Sequence, residues 1–465
     1  MKMFRLTAVA LSLGLACWGQ PIPTSIHISA PAGSSSSSST NSAGSSGNVR
    51  AARATPVGRQ VLKDGLRVLV NESPQEDIVA MELLVQVGAM EETTPVVGIE
   101  QIMQELLTER ISLTAEGADR VEDCAASLKV SPELDYMRIS MVSTSADFPM
   151  LLSAVADAFK KRPLEEAELE TVRKKLLPNL ESPQGALSEL YDIFRQQFYR
   201  YHPYKRSGRL SEGLLERLRA HQIQSFMDQF YVANRMIVSI SGRVDRTEAV
   251  KMVEDRFGSL PQKEIRSMDV SWDPKPTEHE VFLTGGGQLG WLFVGYPAPS
   301  GPSRDYAAMR VINSILGEGL SSRLFTEIRE KRSLVYELGS MYPVLRGPSH
   351  FLTYTVTKPD QVWPARKQLL IEIERLKKDG ITKLELEESK RKVIGNYWQE
   401  RETNSGRAFQ SALGEALGLS YEFDSQFMRT LESVSTDDVK EVARRYLDNA
   451  TLIVARPRGI FYWDL

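Results

Sequence analysis

"QIQSFMDQFYVANRMIVSIS", residues 222–241, and "DVKEVARRYLDNATLIVARP", residues 438–457, follow one pattern. Each opens as a helix with apolar residues at matching positions, Ile223 with Val439 and Phe230 with Tyr446. Each then has an asparagine, Asn234 and Asn449, one residue out of register. Each closes on a short apolar strand core. Two distant stretches with one pattern mark an internal duplication of domain size.

The segments before these endings match as well. In the first half, "RQVLKDGLRVLVNE" reads as a hairpin around Lys63, Asp64 and Gly65. "IVAMELLVQVGAM" places Val79, Met81, Leu83, Val85 and Val87 on one face, the period of a strand. "LDYMRISMVS" is a further strand, and helical periodicity covers about 147–160, 165–181, 185–199 and 211–232. In the second half, "HEVFLTGGGQLGWLFVGYPA" reads as strand, glycine-rich turn and strand. "RDYAAMRVINSILGE" is a helix, "LVYELGSMYPVL" and "SHFLTYTVT" are strands, and helical pattern runs from about 361 to 420. "TGGGQ", Thr284 to Gln288, lacks the G-K-[ST] ending of a phosphate loop and reads as a strand entry with a bulge. The expectation is two α+β halves joined near 260–275, clasping each other or a partner.

Bulk composition allows this. The chain has 465 residues, 42% hydrophobic and 25% charged, with a net charge of -3. No basic surplus points to nucleic acid. At the N-terminus, Lys2 and Arg5 precede a mostly apolar run from Leu6 to Cys17, the form of a secretory signal over residues 1–20. The run is shorter than the roughly 20 apolar residues that span a bilayer. Cys17 also fits lipid attachment, although Gly14 stands where a lipobox has Leu, so export alone and a membrane tether through Cys17 both stay open. Residues 21–56, with "PAGSSSSSSTNSAGSSGN" at 31–48, read as a Ser/Gly-rich linker. Beyond the signal only Cys124 remains, so no internal disulfide forms; it reads as a small buried residue.

"GIEQIMQELL", residues 98–107, is the start of a helix. Ile99, Ile102, Met103, Leu106 and Leu107 form its buried face. A second face carries Gln101, Gln104 and Glu105 at i, i+3 and i+4. That is the spacing of the H-x-x-E-H zinc motif with all three chemical roles missing. None of His27, His202, His221, His279 and His350 forms a pair at metal-ligand spacing.

From about 58 to 456 the chain resembles the insulinase/pitrilysin family of zinc peptidases, the inverzincins. The resemblance rests on "VLKDGLRVLVNE", "VQVGAMEETTPVVGIEQIMQELL", "YRYHPYKRSGRL" and, most specifically, "INSILGEGLSSRLFTEIREKRSLVYELGS". It implies two homologous α+β domains, each a mostly antiparallel sheet flanked by helices, over residues 57–262 and 275–460. In active members the helix supplies two His ligands and a Glu that activates the metal-bound water. Here Gln101, Gln104 and Glu105 hold those positions, and a neutral amide is a weak ligand and no base near neutral pH. The family's third ligand falls near Lys175 by the surrounding "VRKKLLPNLESP", while Glu181 has the better raw spacing. No catalytic zinc is expected in this chain.

The resemblance also implies that an Arg and a Tyr seven residues apart in the second half hold substrate. "REKRSLVY" supplies Arg329 and Tyr336. Arg offers a planar fork to a peptide carbonyl, and the Tyr hydroxyl can bond a developing oxyanion. Without the resemblance, Arg329 reads as a solvated charge and Tyr336 as an inward-packed strand residue. Arg323 reads as structural. Some members divide the work between two chains, one with H-x-x-E-H and one with the Arg/Tyr pair. This sequence resembles the second kind: a non-catalytic substrate-binding subunit of an exported, periplasmic heterodimeric peptidase. Its partner would be a homologous H-x-x-E-H subunit carrying the zinc, and its substrate a peptide. The alternative is a pseudopeptidase serving as a scaffold without a role in hydrolysis.

Overall fold

Two β-sheets organise the chain, one built from each half of the sequence. The computed structural model describes residues 57–92, 96–114, 124, 126–160, 163–181, 185–206, 208–264, 279–285, 287–301, 303–419 and 423–457. The signal, the Ser/Gly linker, Cys17, His27 and most of the joint between the halves lie outside these residues.

The first sheet has six strands in the order β1-β2-β6-β3-β5-β4. They are β1 (Gly58–Val61), β2 (Arg67–Glu72), β3 (Ile78–Val85), β4 (Ser127–Pro132), β5 (Met137–Thr144) and β6 (Met236–Gly242). The second has five strands in the order β7-β11-β8-β10-β9. They are β7 (His279–Gly285), β8 (Gly290–Ala298), β9 (Glu337–Met341), β10 (Ser349–Thr357) and β11 (Thr451–Pro457).

The duplication is visible strand by strand. β2 pairs parallel with β6, as β7 does with β11. β3 lies antiparallel to both β6 and β5, as β8 does to β11 and β10. β5 continues antiparallel to β4, and β10 to β9. Both sheets are therefore mostly antiparallel, with one parallel pair each. The two asparagines of the repeated endings each stand two residues before their strand but differ in role. Asn449 sits in the left-handed region at φ 56. Asn234 instead accepts from Lys263 N at 3.2 Å and donates to Lys263 O at 2.6 Å.

One face of each sheet is covered by helices of its own half. Met81, Leu83 and Val85 of β3 enter the first core with Ile102, Met103 and Leu106. The period of β3 predicts one buried face, but the strand is buried on both faces from Val79 to Val85. The helix Asn404–Ala416 of the second half lies on the other face and packs Phe409, Ala412 and Ala416 against Leu69, Leu84 and Ile237. The arrangement is reciprocal. The helix Ala186–Phe198 of the first half packs Phe194 and Phe198 against Phe293, Leu352 and Ile453 of the second sheet. Each half thus lends the other a helix. Burying a residue such as Phe194 stabilises by roughly 1.5–3 kcal/mol, so neither half can leave the other without exposing apolar surface.

Polar groups tie the clasp. Glu82 is buried and accepts from Arg138 at 2.8 and 3.0 Å, from Ser140 at 2.7 Å and, across the halves, from Ser405 at 2.9 Å. Arg59 forks onto Glu415 at 3.1 and 2.8 Å. On the other side of the clasp, His350 sits between Tyr199, 2.7 Å from Nδ1, and Tyr191, 3.1 Å from Nε2. Tyr199 also donates to Pro348 O at 3.1 Å. With that proton committed, His350 Nδ1–H donates to Tyr199, and Nε2 accepts from Tyr191. Burial holds this imidazole neutral, its pKa pushed down to about 3.

Candidate functional site: a metal-motif helix and an exposed Arg/Tyr pair

The helix Ile99–Thr114 carries the first set of predicted positions. Its apolar face is fully interior: Ile99, Ile102, Met103, Leu106 and Leu107 are each at most 1% exposed. Gly98 enters it at φ 93, and a Cβ there would lie 2.6 Å from Leu210 Cα, so only glycine fits. Glu92 caps the start, its Oε1 accepting from Gly98 N at 3.1 Å and Glu100 N at 3.4 Å. A carboxylate there also complements the helix dipole. Glu100 is buried and accepts from the Tyr231 hydroxyl at 2.7 Å. Burial pushes its carboxyl up to about 8, against the pull of that hydrogen bond and with the help of the Glu92 charge.

The helix Glu166–Glu181 runs antiparallel to this one and is joined to it twice. Arg110, 1% exposed, bonds Glu168 at 2.8 and 3.2 Å. Further along, Lys175 donates to Glu109, and its Nζ stands 3.8 Å from Glu105 Oε1. Gln101 Oε1 accepts from Leu210 N at 3.2 Å. The position near which the third ligand was expected is thus an ammonium directed at the helix. Glu181 is the last residue of its helix.

Zinc at a peptidase site takes imidazole, thiolate or carboxylate donors. Here the helix offers two amides and one carboxylate, and the facing position offers a cation already bonded to Glu109. This donor set does not fit zinc. Among the described residues no group of three or more His, Cys, Asp or Glu is placed to hold a metal ion. Three of the histidines are engaged elsewhere: His202 accepts from Tyr204 N at 3.2 Å, His279 meets Gln197 at 3.2 Å, and His350 is internal to the clasp.

Arg329 and Tyr336 lie in the second half. Arg329 is exposed on a segment, Phe325–Glu330, wound as a π-helix, with its guanidinium 4.9 Å from the Phe325 ring centre. Ser333, at φ 52, turns the chain toward β9. Tyr336 N donates to Val356 O at 2.8 Å, extending the β9–β10 ladder by one residue. The Tyr336 side chain is 51% exposed, so it does not pack inward. Among the described residues neither the Arg329 guanidinium nor the Tyr336 hydroxyl has a hydrogen-bond partner. Arg323, by contrast, bonds Glu385 at 2.7 Å and Gly380 O at 3.0 Å.

The fold brings Glu105 together with Lys175 but, among the described residues, joins neither Arg329 nor Tyr336 to the helix Ile99–Thr114 by any hydrogen bond or ion pair. Sequence reasoning missed Glu109. Its signal is the i, i+4 spacing from Glu105, which puts both carboxylates on the face that meets Lys175. It also missed the π-helix under Arg329, a rare winding that recurs at functional sites.

Comparison with known proteins agrees with this architecture. The sequence profile described as Insulinase (Peptidase family M16) matches residues 67–207, spanning Gln101 to Lys175. The profile described as Peptidase M16 inactive domain matches residues 217–393, spanning Arg329 and Tyr336. The chain belongs to the insulinase family. It is 23% identical to the uncharacterized zinc protease YmxG of Bacillus subtilis over 87% of this chain and 99% of that one. It is 24% identical to the zinc protease PqqE of Helicobacter pylori over 85% of this chain and 92% of that one. Its fold matches the crystal structure of a protease from Helicobacter pylori with a TM-score of 0.79 at 21% identity, covering 86% of this chain and 99% of the other. A peptidase M16 inactive domain from Pseudomonas fluorescens matches with a TM-score of 0.79 at 19% identity, covering 87% and 98%.

Proposed function

We propose that this chain is the non-catalytic, substrate-binding subunit of an exported heterodimeric zinc metallopeptidase that acts on peptides. The observation that carries the reading is the state of Arg329 and Tyr336. Both side chains reach solvent with their polar ends making no hydrogen bond among the described residues. The names of the relatives as zinc proteases support the reaction class. A homologous subunit with H-x-x-E-H would supply the zinc and the general base. The peptide would add as a strand to a sheet edge of that partner, held by main-chain hydrogen bonds. The Arg329 fork would hold a peptide carbonyl. The Tyr336 hydroxyl would donate to the scissile carbonyl oxygen as it gains charge. The signal-like start with Lys2 and Arg5 supports export, with the periplasm as the site of action.

Co-expression with a homologous H-x-x-E-H subunit from the same genome tests the reading. The expected outcome is a stable complex that cleaves peptides, while this chain alone does not. A complex that cleaves no faster than the partner alone would leave the scaffold reading in its place.

A further inference from the structure

The Lys175 ammonium is set against two carboxylates of the metal-motif helix. Glu105 and Glu109 are one helical turn apart, and like charges at that spacing repel. Lys175 donates to Glu109 and stands 3.8 Å from Glu105 Oε1. Two helical turns away, the Arg110–Glu168 pair at 2.8 Å, its Arg side chain 1% exposed, also joins the two helices. Gln101 is occupied with Leu210 N, whereas the side-chain amide of Gln104 has no hydrogen-bond partner among the described residues. Both carboxylates are partly sheltered, at 22% and 16% side-chain exposure, and Lys175 is half exposed. Water therefore screens the pair incompletely, and the two negative charges need a cation.

We infer that Lys175 is the built-in cation of this site: its ammonium occupies the charge position of a divalent metal and keeps such metals out of the Glu105–Glu109 face. The hydrogen bond to Glu109 raises the Lys175 pKa, so the cation persists across the physiological range. A divalent ion approaching the two carboxylates must displace an ammonium tethered to the protein. Removing that ammonium should therefore open the face to metal, and replacing it by a carboxylate should complete a three-carboxylate site. This holds whether or not a partner subunit exists, so its failure and the failure of the heterodimer reading are separate results.

The test uses the purified full chain and zinc ion alone, read by isothermal titration and by thermal unfolding with and without zinc. Wild type is expected to show no saturable zinc binding and no zinc-dependent change in unfolding temperature. Lys175→Ala should unfold at a lower temperature than wild type, and zinc should raise it again. Lys175→Glu should bind one equivalent of zinc at least ~10-fold more tightly than wild type, since added ligand charge raises metal affinity. Adding Glu105→Gln to Lys175→Glu should abolish the gain. If Lys175→Glu yields no folded protein without metal, zinc rescue of Lys175→Ala decides the matter. Stoichiometric zinc binding by wild type would overturn the inference. So would indifference to zinc in folded Lys175→Ala and Lys175→Glu.

Discussion

The ring of Phe194, from the first half, occupies the space that a side chain on Gly295, in the second, would need. A Cβ built on Gly295 would lie 2.2 Å from Phe194 Cε2. The ring is wholly buried, so it has no room to retreat. Gly295→Ala is expected to destabilise by about 1–3 kcal/mol, the usual cost of overpacking a tight core. Phe194→Leu alone loses packing. The double variant should recover part of the sum, because the smaller side chain relieves the clash. A double-mutant cycle by urea unfolding checks this; purely additive changes would mean the two halves do not meet through this contact.

Glu82 supplies a second measure of the clasp. Its carboxylate takes a bidentate Arg138 and the Ser405 hydroxyl in an interior setting. Glu82→Ala leaves Arg138 without its counterion and should cost about 3–5 kcal/mol. Ser405→Ala removes only one bond to a charged acceptor and should cost about 1.5–3 kcal/mol. Equilibrium denaturation of both variants should give that order.

Glu100 sets a pH dependence. Its carboxyl is raised from 4.5 to about 8 in the folded protein. A raised acid favours the folded state while protonated. Stability is therefore highest below the unfolded value and falls as pH climbs from about 4.5 toward 8. The loss attributable to this group is roughly 5 kcal/mol at its largest. Glu92, also pushed up by burial, adds in the same direction. Glu100→Gln keeps an acceptor for Tyr231 and removes the titration. Urea unfolding across pH 5–8 should show a flatter profile in the variant and a gain over wild type that grows with pH.

Much of this was written in local periodicity. The matched endings announced the duplication, and the spacing from Ile99 to Leu107 announced the helix face that the core confirms. What escaped has two causes: contacts between residues far apart in the chain, and segments whose local signal is weak. The outer face of β3 looked solvent-bound because the helix that covers it, Asn404–Ala416, belongs to the other half. β4, "SLKVSP", is an edge strand with a single neighbour and carries little alternation. The Glu109–Lys175 bond joins two helices whose sequences do not signal their pairing. The π-winding at Phe325–Glu330 has no propensity signature, so the motif located Arg329 and Tyr336 without revealing how they are presented.

The central claim, that Arg329 and Tyr336 act on substrate held by a partner, is tested most directly by Tyr336→Phe in the reconstituted pair. The substitution removes one hydroxyl from a half-exposed ring and leaves the ring itself, so assembly by size-exclusion chromatography should be unchanged. Arg329→Ala, assayed beside it, should mainly weaken peptide binding. For Tyr336→Phe the measurement is turnover of a peptide substrate by the assembled complex. The account predicts a loss on the order of a hundred- to a thousandfold, about 2.7–4 kcal/mol, as for removal of one oxyanion donor. Wild-type turnover in an intact Tyr336→Phe complex would contradict it.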